Sequence, residues 1–253
     1  MRRADVDDGE CSTFVSILKS NKTLELIDMS HNLIGQMETL NAVKPDFKTG
    51  GEAYAELLEH PACCLTSLNI SWNSVRLEGA EKLGRSLGKN SSLTHLDVSY
   101  NSIGRTGAMN LGLGMLDNKT LQSLNVASNG IDYAGFFTLV VPLRDHPNLE
   151  RFCLDGNPIG SQGAHLLLDL PLCNPRLGFS ALSCDVNRKT TDMTFDRKSP
   201  NGFYDIDLNM PFGIAFVMDL LHVVAGLSNM EVHLMELSNG REKHTVKLHK
   251  ISH

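Results

Sequence analysis

Leucines recur with a fixed period along most of this chain. Leu65, Leu93, Leu121, Leu149 and Leu177 stand 28 residues apart, and each opens a similar stretch: LTSLNISWNSV, LTHLDVSYNSI, LQSLNVASNGI, LERFCLDGNPI and LGFSALSCDV. An earlier copy, LELIDMSHNLI, begins at Leu24. Such a period marks stacked supersecondary units, each too small to bury its apolar face alone. Within a copy the apolar spacing changes. Leu93, Leu96 and Val98 fall as on a short strand with one buried side. Gly107, Ala108, Leu111 and Met115 then follow at helical spacing, as do Gly79, Ala80, Leu83 and Leu87, and Gly163, Ala164 and Leu167. Each unit reads as strand, turn and helix.

With the opening leucine as position 1, position 9 is Asn32, Asn73, Asn101, Asn129 and Asn157. An asparagine that turns inward after a strand can satisfy backbone groups left unpaired by the turn, so this ladder is read as structural. The same count places Asp185 there in the sixth copy, where the ladder should end or distort. Three glycosylation-like triplets, at Asn21, Asn90 and Asn118, each precede an opening leucine. They are read as repeat punctuation, because asparagine tolerates the left-handed conformation that commonly ends a helix.

These residues resemble leucine-rich repeats of the 28-residue ribonuclease-inhibitor type, L-x-x-L-x-L-x-x-N-x-I/L followed by G-A and helical leucines. The resemblance covers roughly residues 10 to 188. It implies an α/β solenoid of about six units, with parallel strands inside and helices outside. It also implies a non-catalytic, cytoplasmic interaction scaffold, in a family that includes enzyme inhibitors, innate-immune sensor arrays, actin-end cappers and subunits of the ciliary axoneme. Ran GTPase activators share the repeat and suggest an alternative, regulation of a partner enzyme. Their strongly acidic tail contrasts with Arg241, Lys243, Lys247 and Lys250 here.

The array departs from its pattern in three places. Ile34 and Gly51 are 17 steps apart where Ile103 and Gly107 are four, so an insertion spans about residues 36–50. Residues 1–23 read as the helical half of a repeat, with Phe14 and Leu18 ahead of Leu24 matching Leu83 and Leu87 ahead of Leu93, and with no strand before it. After the repeats of 24–188, residues 189–253 change character. A polar stretch at 188–201 leads to a strand at 203–208, a helix opened by Pro211 over 212–225, a strand at 231–237, an Asn239-Gly240 turn and a strand at 242–251. This reads as a β-α-β-β unit covering the end of the solenoid.

Composition narrows the function. The 23 Lys and Arg against 29 Asp and Glu give a net charge of -6 with no basic cluster, which disfavours nucleic acid. No apolar run is long enough to span a membrane. Six scattered cysteines without C-x2-C spacing suggest neither a disulfide framework nor a zinc site, and favour a reducing compartment. No cofactor motif is present, and Gly112-Leu113-Gly114 sits in a helical half without the Lys-Ser/Thr of a phosphate loop.

Strand alternation assigns positions 3, 5, 7 and 8 to the concave sheet. The candidate partner-binding residues are therefore His31, Trp72 and Tyr100 at position 8, Asp28, Asn69 and Asp97 at position 5, His95 and Arg151 at position 3, and Asp155 at position 7. Trp and Tyr anchor many interfaces, and the carboxylates suit a basic partner segment. The bland reading is that Trp72 and Tyr100 only stack on each other. His95 beside Asp97 resembles a general-base pair, but no nucleophile or oxyanion loop accompanies it. Cys63-Cys64 reads as packing, and Asp219 with His222 as a weak metal spacing without further ligands.

Overall fold

The computed structural model describes residues 1–37, 47–174, 176–177, 182–183, 192–196, 204–209, 231–236 and 241–247. Six short strands, β1 (Leu26–Asp28), β2 (Ser67–Asn69), β3 (His95–Asp97), β4 (Ser123–Asn125), β5 (Arg151–Cys153) and β6 (Leu182–Ser183), form one parallel sheet in chain order. Helices α1 (Asp8–Leu18), α2 (Gly50–Glu59), α3 (Leu77–Ser86), α4 (Gly104–Asp117), α5 (Tyr133–Leu143) and α6 (Gly160–Cys173) alternate with them. From β2 to β5 the pairing joins residues 28 apart, as in Leu68 with Leu96 and Leu124 with Phe152. The expected α/β solenoid is the observed one.

The core runs as a continuous seam between sheet and helices. Leu68, Leu96, Leu124 and Phe152 fill it from position 4, Ile70, Val98, Val126 and Leu154 from position 6, and Leu83, Leu111, Leu139 and Leu167 from the helices. Glycine permits close helix approach at one point in particular: a Cβ on Gly84 of α3 would lie 2.5 Å from the Leu111 nitrogen, and one on Gly114 of α4 would lie 2.1 Å from the Gly84 carbonyl oxygen.

The ladder asparagines close the turns. Asn101 Nδ2 donates to the carbonyls of Ile70 and Val98 at 3.0 Å and Ser99 at 3.2 Å, while its Oδ1 accepts from Val75 N at 2.9 Å. Asn32, Asn73, Asn129 and Asn157 repeat this arrangement.

A second ladder lies at the other end of the strands. Asn90 Oδ1 accepts from Ser92 N and Leu93 N, Asn118 Oδ1 from Thr120 N and Leu121 N, and both side chains are buried with Nδ2 bonded to backbone carbonyls of the preceding repeat. Asn118 has φ -67° and ψ 135°, so this is an extended turn and the left-handed explanation of these asparagines is wrong. In the fifth repeat His146 takes the place. Its Nδ1 accepts from Asn148 N and Leu149 N, which puts the proton on Nε2, and Nε2 is buried without a hydrogen bond of normal geometry. Burial, and then Lys119, depress its pKa to about 4, against a weaker opposing effect of the Asn118 backbone. Unfolded His146 takes up a proton near pH 6.5 and folded His146 does not, so it lowers stability as pH falls from 6.5 toward 4, by up to about 1.4 kcal/mol per pH unit. His146→Asn supplies a donor where the ring is unpaired. It should stabilise the fold by about 1 kcal/mol at pH 7 and by more at pH 5, read as urea midpoints.

Three expectations need correction. Residues 1–6 do not leave α1 as a bare half-repeat. Met1 O accepts from Asn32 Nδ2, and Asn32 Oδ1 accepts from Ala4 N and Val6 N, so Met1 to Val6 occupy positions 6 to 11 of a preceding turn. The sixth copy is also out of frame. Leu177 is buried at position 1, yet Phe152 at position 4 pairs with Leu182 and not Ser180, so two extra residues lie between Leu177 and the strand. The asparagine position of this copy lies outside the described residues.

The C-terminal sheet has four strands in the order β10-β9-β8-β7: β7 (Asp192–Asp196), β8 (Tyr204–Asn209), β9 (Glu231–Glu236) and β10 (Arg241–Lys247). β8 and β9 are parallel, and both outer pairs are antiparallel. The β7 strand falls in the stretch read as polar linker, where Met193 and Phe195 alternate with Asp192, Thr194 and Asp196 over too short a span to stand out. The expected helix at 212–225, the Asn239-Gly240 turn, Asp219, His222 and Asp185 lie outside the described residues, as does the insertion between 38 and 46. The described ends of that insertion are drawn together by buried Asp8, whose Oδ1 accepts from Gly35 N and Gly50 N and whose Oδ2 accepts from Met37 N.

Candidate functional site: the concave sheet and its aromatic stack

Position 8 repeats an unusual backbone from one unit to the next. His31, Trp72, Tyr100 and Ser128 have φ of 56°, 55°, 53° and 51°. The cause is local. Each residue's N–H turns sideways to the position-7 carbonyl of the next repeat, as Trp72 N donates to Ser99 O at 2.9 Å and Tyr100 N to Ala127 O at 2.8 Å. Glycine adopts this conformation freely, and the fifth repeat uses Gly156 there with φ 68°. A bulky residue costs on the order of 1 kcal/mol at each such site.

Three rings stand on these strained positions and stack in a row. His31 and Trp72 lie 5.2 Å apart between centroids at 10°, and Trp72 and Tyr100 lie 3.9 Å apart at 9°. Trp72 and Tyr100 do stack on each other, and they remain 48% and 45% exposed while doing so. At the near end Arg3 has φ 53° at the equivalent position of the preceding turn, and Arg2 Nη2 lies 3.4 Å from His31 Nε2. Desolvation first, then Arg3 and Arg2, lower the His31 pKa and favour the neutral ring, with Asp28 opposing.

The position-5 residues spend part of their polarity on their own chain. Asp28, Asn69, Asp97 and Asn125 each accept from the N–H two residues on. Desolvation acts to raise the Asp28 pKa, but hydrogen bonds from Ser30, with Arg2 and the N-terminus, hold it below the usual carboxylate value. Asp97 also accepts from Ser99 Oγ at 2.6 Å and from Asn125 Nδ2 at 3.1 Å. His95 bonds Thr94 Oγ1 through Nδ1 at 2.8 Å and Arg151 through Nε2 at 3.0 Å, so both of its nitrogens are engaged away from Asp97. The general-base arrangement is therefore not formed. Asp155 receives Cys153 Sγ at 3.5 Å.

The sheet thus brings together the ring stack, and separately His95 with Arg151, from residues that are distant in sequence. Sequence reasoning missed Arg2 and Arg3, because Ala4 stands where the other turns have asparagine. It also missed the outer faces of α4 and α5, where Met109, Leu113 and Leu116, and Tyr133, Phe137 and Val141, are exposed. Among the described residues no three His, Cys, Asp or Glu are grouped to hold a metal, and no helix is long and apolar enough to cross a membrane. Cys63 and Cys64 are not joined in a disulfide.

Residues 62–84, 89–112 and 117–140 each match the family model described as Leucine Rich repeat. Three consecutive units of the array are leucine-rich repeats. The matched segments contain Trp72, Tyr100, Asn69 and Asp97, so the central rungs of the concave face lie within recognised leucine-rich repeats. No curated protein matches the chain.

Proposed function

We propose that this chain is a non-catalytic interaction scaffold of the ribonuclease-inhibitor-like repeat type that binds a protein partner on its concave surface. Leucine-rich repeats generally mediate contacts between proteins. The supporting observation specific to this chain is the His31–Trp72–Tyr100 stack: three rings held at left-handed positions, half exposed in the two larger cases, where glycine would serve the backbone better. Rigid, exposed aromatics of this kind anchor interfaces at low entropic cost. Asp28, Asn69, Asp97, Arg151, His95 and Asp155 surround them with oriented polar groups, and the partner segment is proposed to be basic where it meets Asp97 and Asp155. A cytoplasmic setting, on the cytoskeleton or axoneme among others, belongs to the same proposal.

The test is a Trp72→Gly, Tyr100→Gly double variant beside wild type. Glycine relieves the backbone strain that the stack opposes, so stability should hold within about 1 kcal/mol. Capture of the partner from native extract, quantified by mass spectrometry, should fall by at least about tenfold. Undiminished capture by a variant that melts like wild type would remove the concave site.

A further inference from the structure

The outer helices carry a second surface that is independent of the concave reading. Residues 28 apart occupy equivalent places on successive helices, so one convex stripe can be followed across the array. On α3 it reads Glu81 and Arg85, on α4 Met109 and Leu113, on α5 Phe137 and Val141, and at the last of these places on α6 Asp169. The stripe is charged, then apolar for two helices, then acidic. Met109, Leu113 and Leu116 are 39%, 50% and 51% exposed, and Tyr133, Phe137 and Val141 are 37%, 48% and 46% exposed. The two helices sit tightly side by side, since a Cβ on Gly112 would lie 2.5 Å from the Thr138 carbonyl oxygen. Together the six side chains expose on the order of 500 Å² of apolar surface, within the roughly 300–600 Å² of a monomer's largest patch, which is often a functional one.

We infer that this face is covered by the same face of a second copy of the chain, related by a two-fold axis parallel to α4 and α5. That operator lays α4 over the partner copy's α5 at equal height, so that Leu113 meets the second Val141 and Met109 the second Phe137. It also lays α3 over the second α6, which brings Arg85 opposite the second Asp169. Arg85 and Asp169 are exposed on opposite flanks of the patch. One self-complementary operation therefore places Met109, Leu113, Phe137 and Val141 on one another in the centre, lays Leu116 and Tyr133 against the second Arg144 and Arg105, and sets cation against anion on both rims, the arrangement an isologous interface requires. With those rims the buried area approaches the roughly 800 Å² per partner of a stable interface.

The experiment is sedimentation equilibrium of the full chain over about 1 to 100 µM, a range suited to an interface of this size. Wild type should show a monomer–dimer equilibrium. Leu113→Glu should abolish it with unchanged circular dichroism. Arg85→Glu should weaken it at least about tenfold, and Arg85→Glu with Asp169→Arg should restore most of the loss, because only their juxtaposition across the axis lets one reversal repair the other. A wild-type chain that stays monomeric, a dimer that Leu113→Glu leaves intact, or a double reversal no better than the single one would each overturn the inference.

Discussion

Asn157→Ala should cost about 4 kcal/mol of folding stability, as much as the removal of a buried strand leucine. Asn157 is buried, and its side chain serves two repeats at once. Oδ1 accepts from Asn129 N and Ile131 N, both at 3.0 Å, while Nδ2 donates to Val126 O and Leu154 O at 2.9 Å and to Asp155 O at 3.3 Å. Alanine leaves two buried donors and as many as three acceptors without that amide, at about 1 to 3 kcal/mol for each group that water does not reach. Asn157→Asp separates the two halves of the role. It keeps the acceptor for the two N–H groups but turns a negative oxygen toward three carbonyls, so it should be at least as damaging as alanine. Urea unfolding of both variants reads this directly. An aspartate variant close to wild type would show that the donor half of the ladder contributes little.

Gly84→Ala should destabilise by about 3 kcal/mol although alanine is the better helix former. The atoms an added methyl would meet are Leu111 N at 2.5 Å and Asn110 C at 2.7 Å, both backbone of the neighbouring helix, which cannot yield by a side-chain rotation. α3 and α4 would have to part, and the contact of Gly114 with the Gly84 carbonyl would open with them. Gly9→Ala in α1 is the matched control. Its Cβ meets only Asp7 Oδ1 at 3.4 Å, so helix propensity alone should decide, with a gain of up to about 1 kcal/mol. Opposite signs for two identical substitutions in helices, measured as thermal midpoints, test whether helix spacing is set by glycine. Loss of stability in both would point to backbone flexibility as the common cause.

The architecture was legible because its determinants are periodic. Leu96 and Val98 announce a one-sided strand, Asn101 a turn, and Leu111 and Met115 a helix, and the 28-residue repetition multiplies each weak signal. What escaped was whatever broke the period. The first turn uses Ala4 and Val6 but no asparagine, so only the bonds to Asn32 reveal it. The sixth strand slips because Leu177 still fills its core position while the two extra residues follow it, so counting from the leucine misplaces everything downstream. β7 was hidden by its brevity. For the site, alternation reached the partly exposed residues of positions 3 and 5, but position 7, also assigned to that face, is buried at Ser30, Ser71, Ser99 and Ala127, and the ring stack follows from a positive φ that accompanies the cross-repeat N–H bonds. His146 carries no sequence signal of its substitution for asparagine, because the shared property is an acceptor at one height and not a residue type.

The slip in the sixth repeat interrupts an evenly graduated inner face. From Arg3 through His31, Trp72, Tyr100 and Ser128 to Gly156 the same backbone position recurs once per rung, at roughly 4.8 Å per division. Past Gly156 the graduation is offset by two residues. Side chains on one face of an extended peptide recur at about 6.8 Å, so such a peptide laid along this scale falls out of step with it after a single division.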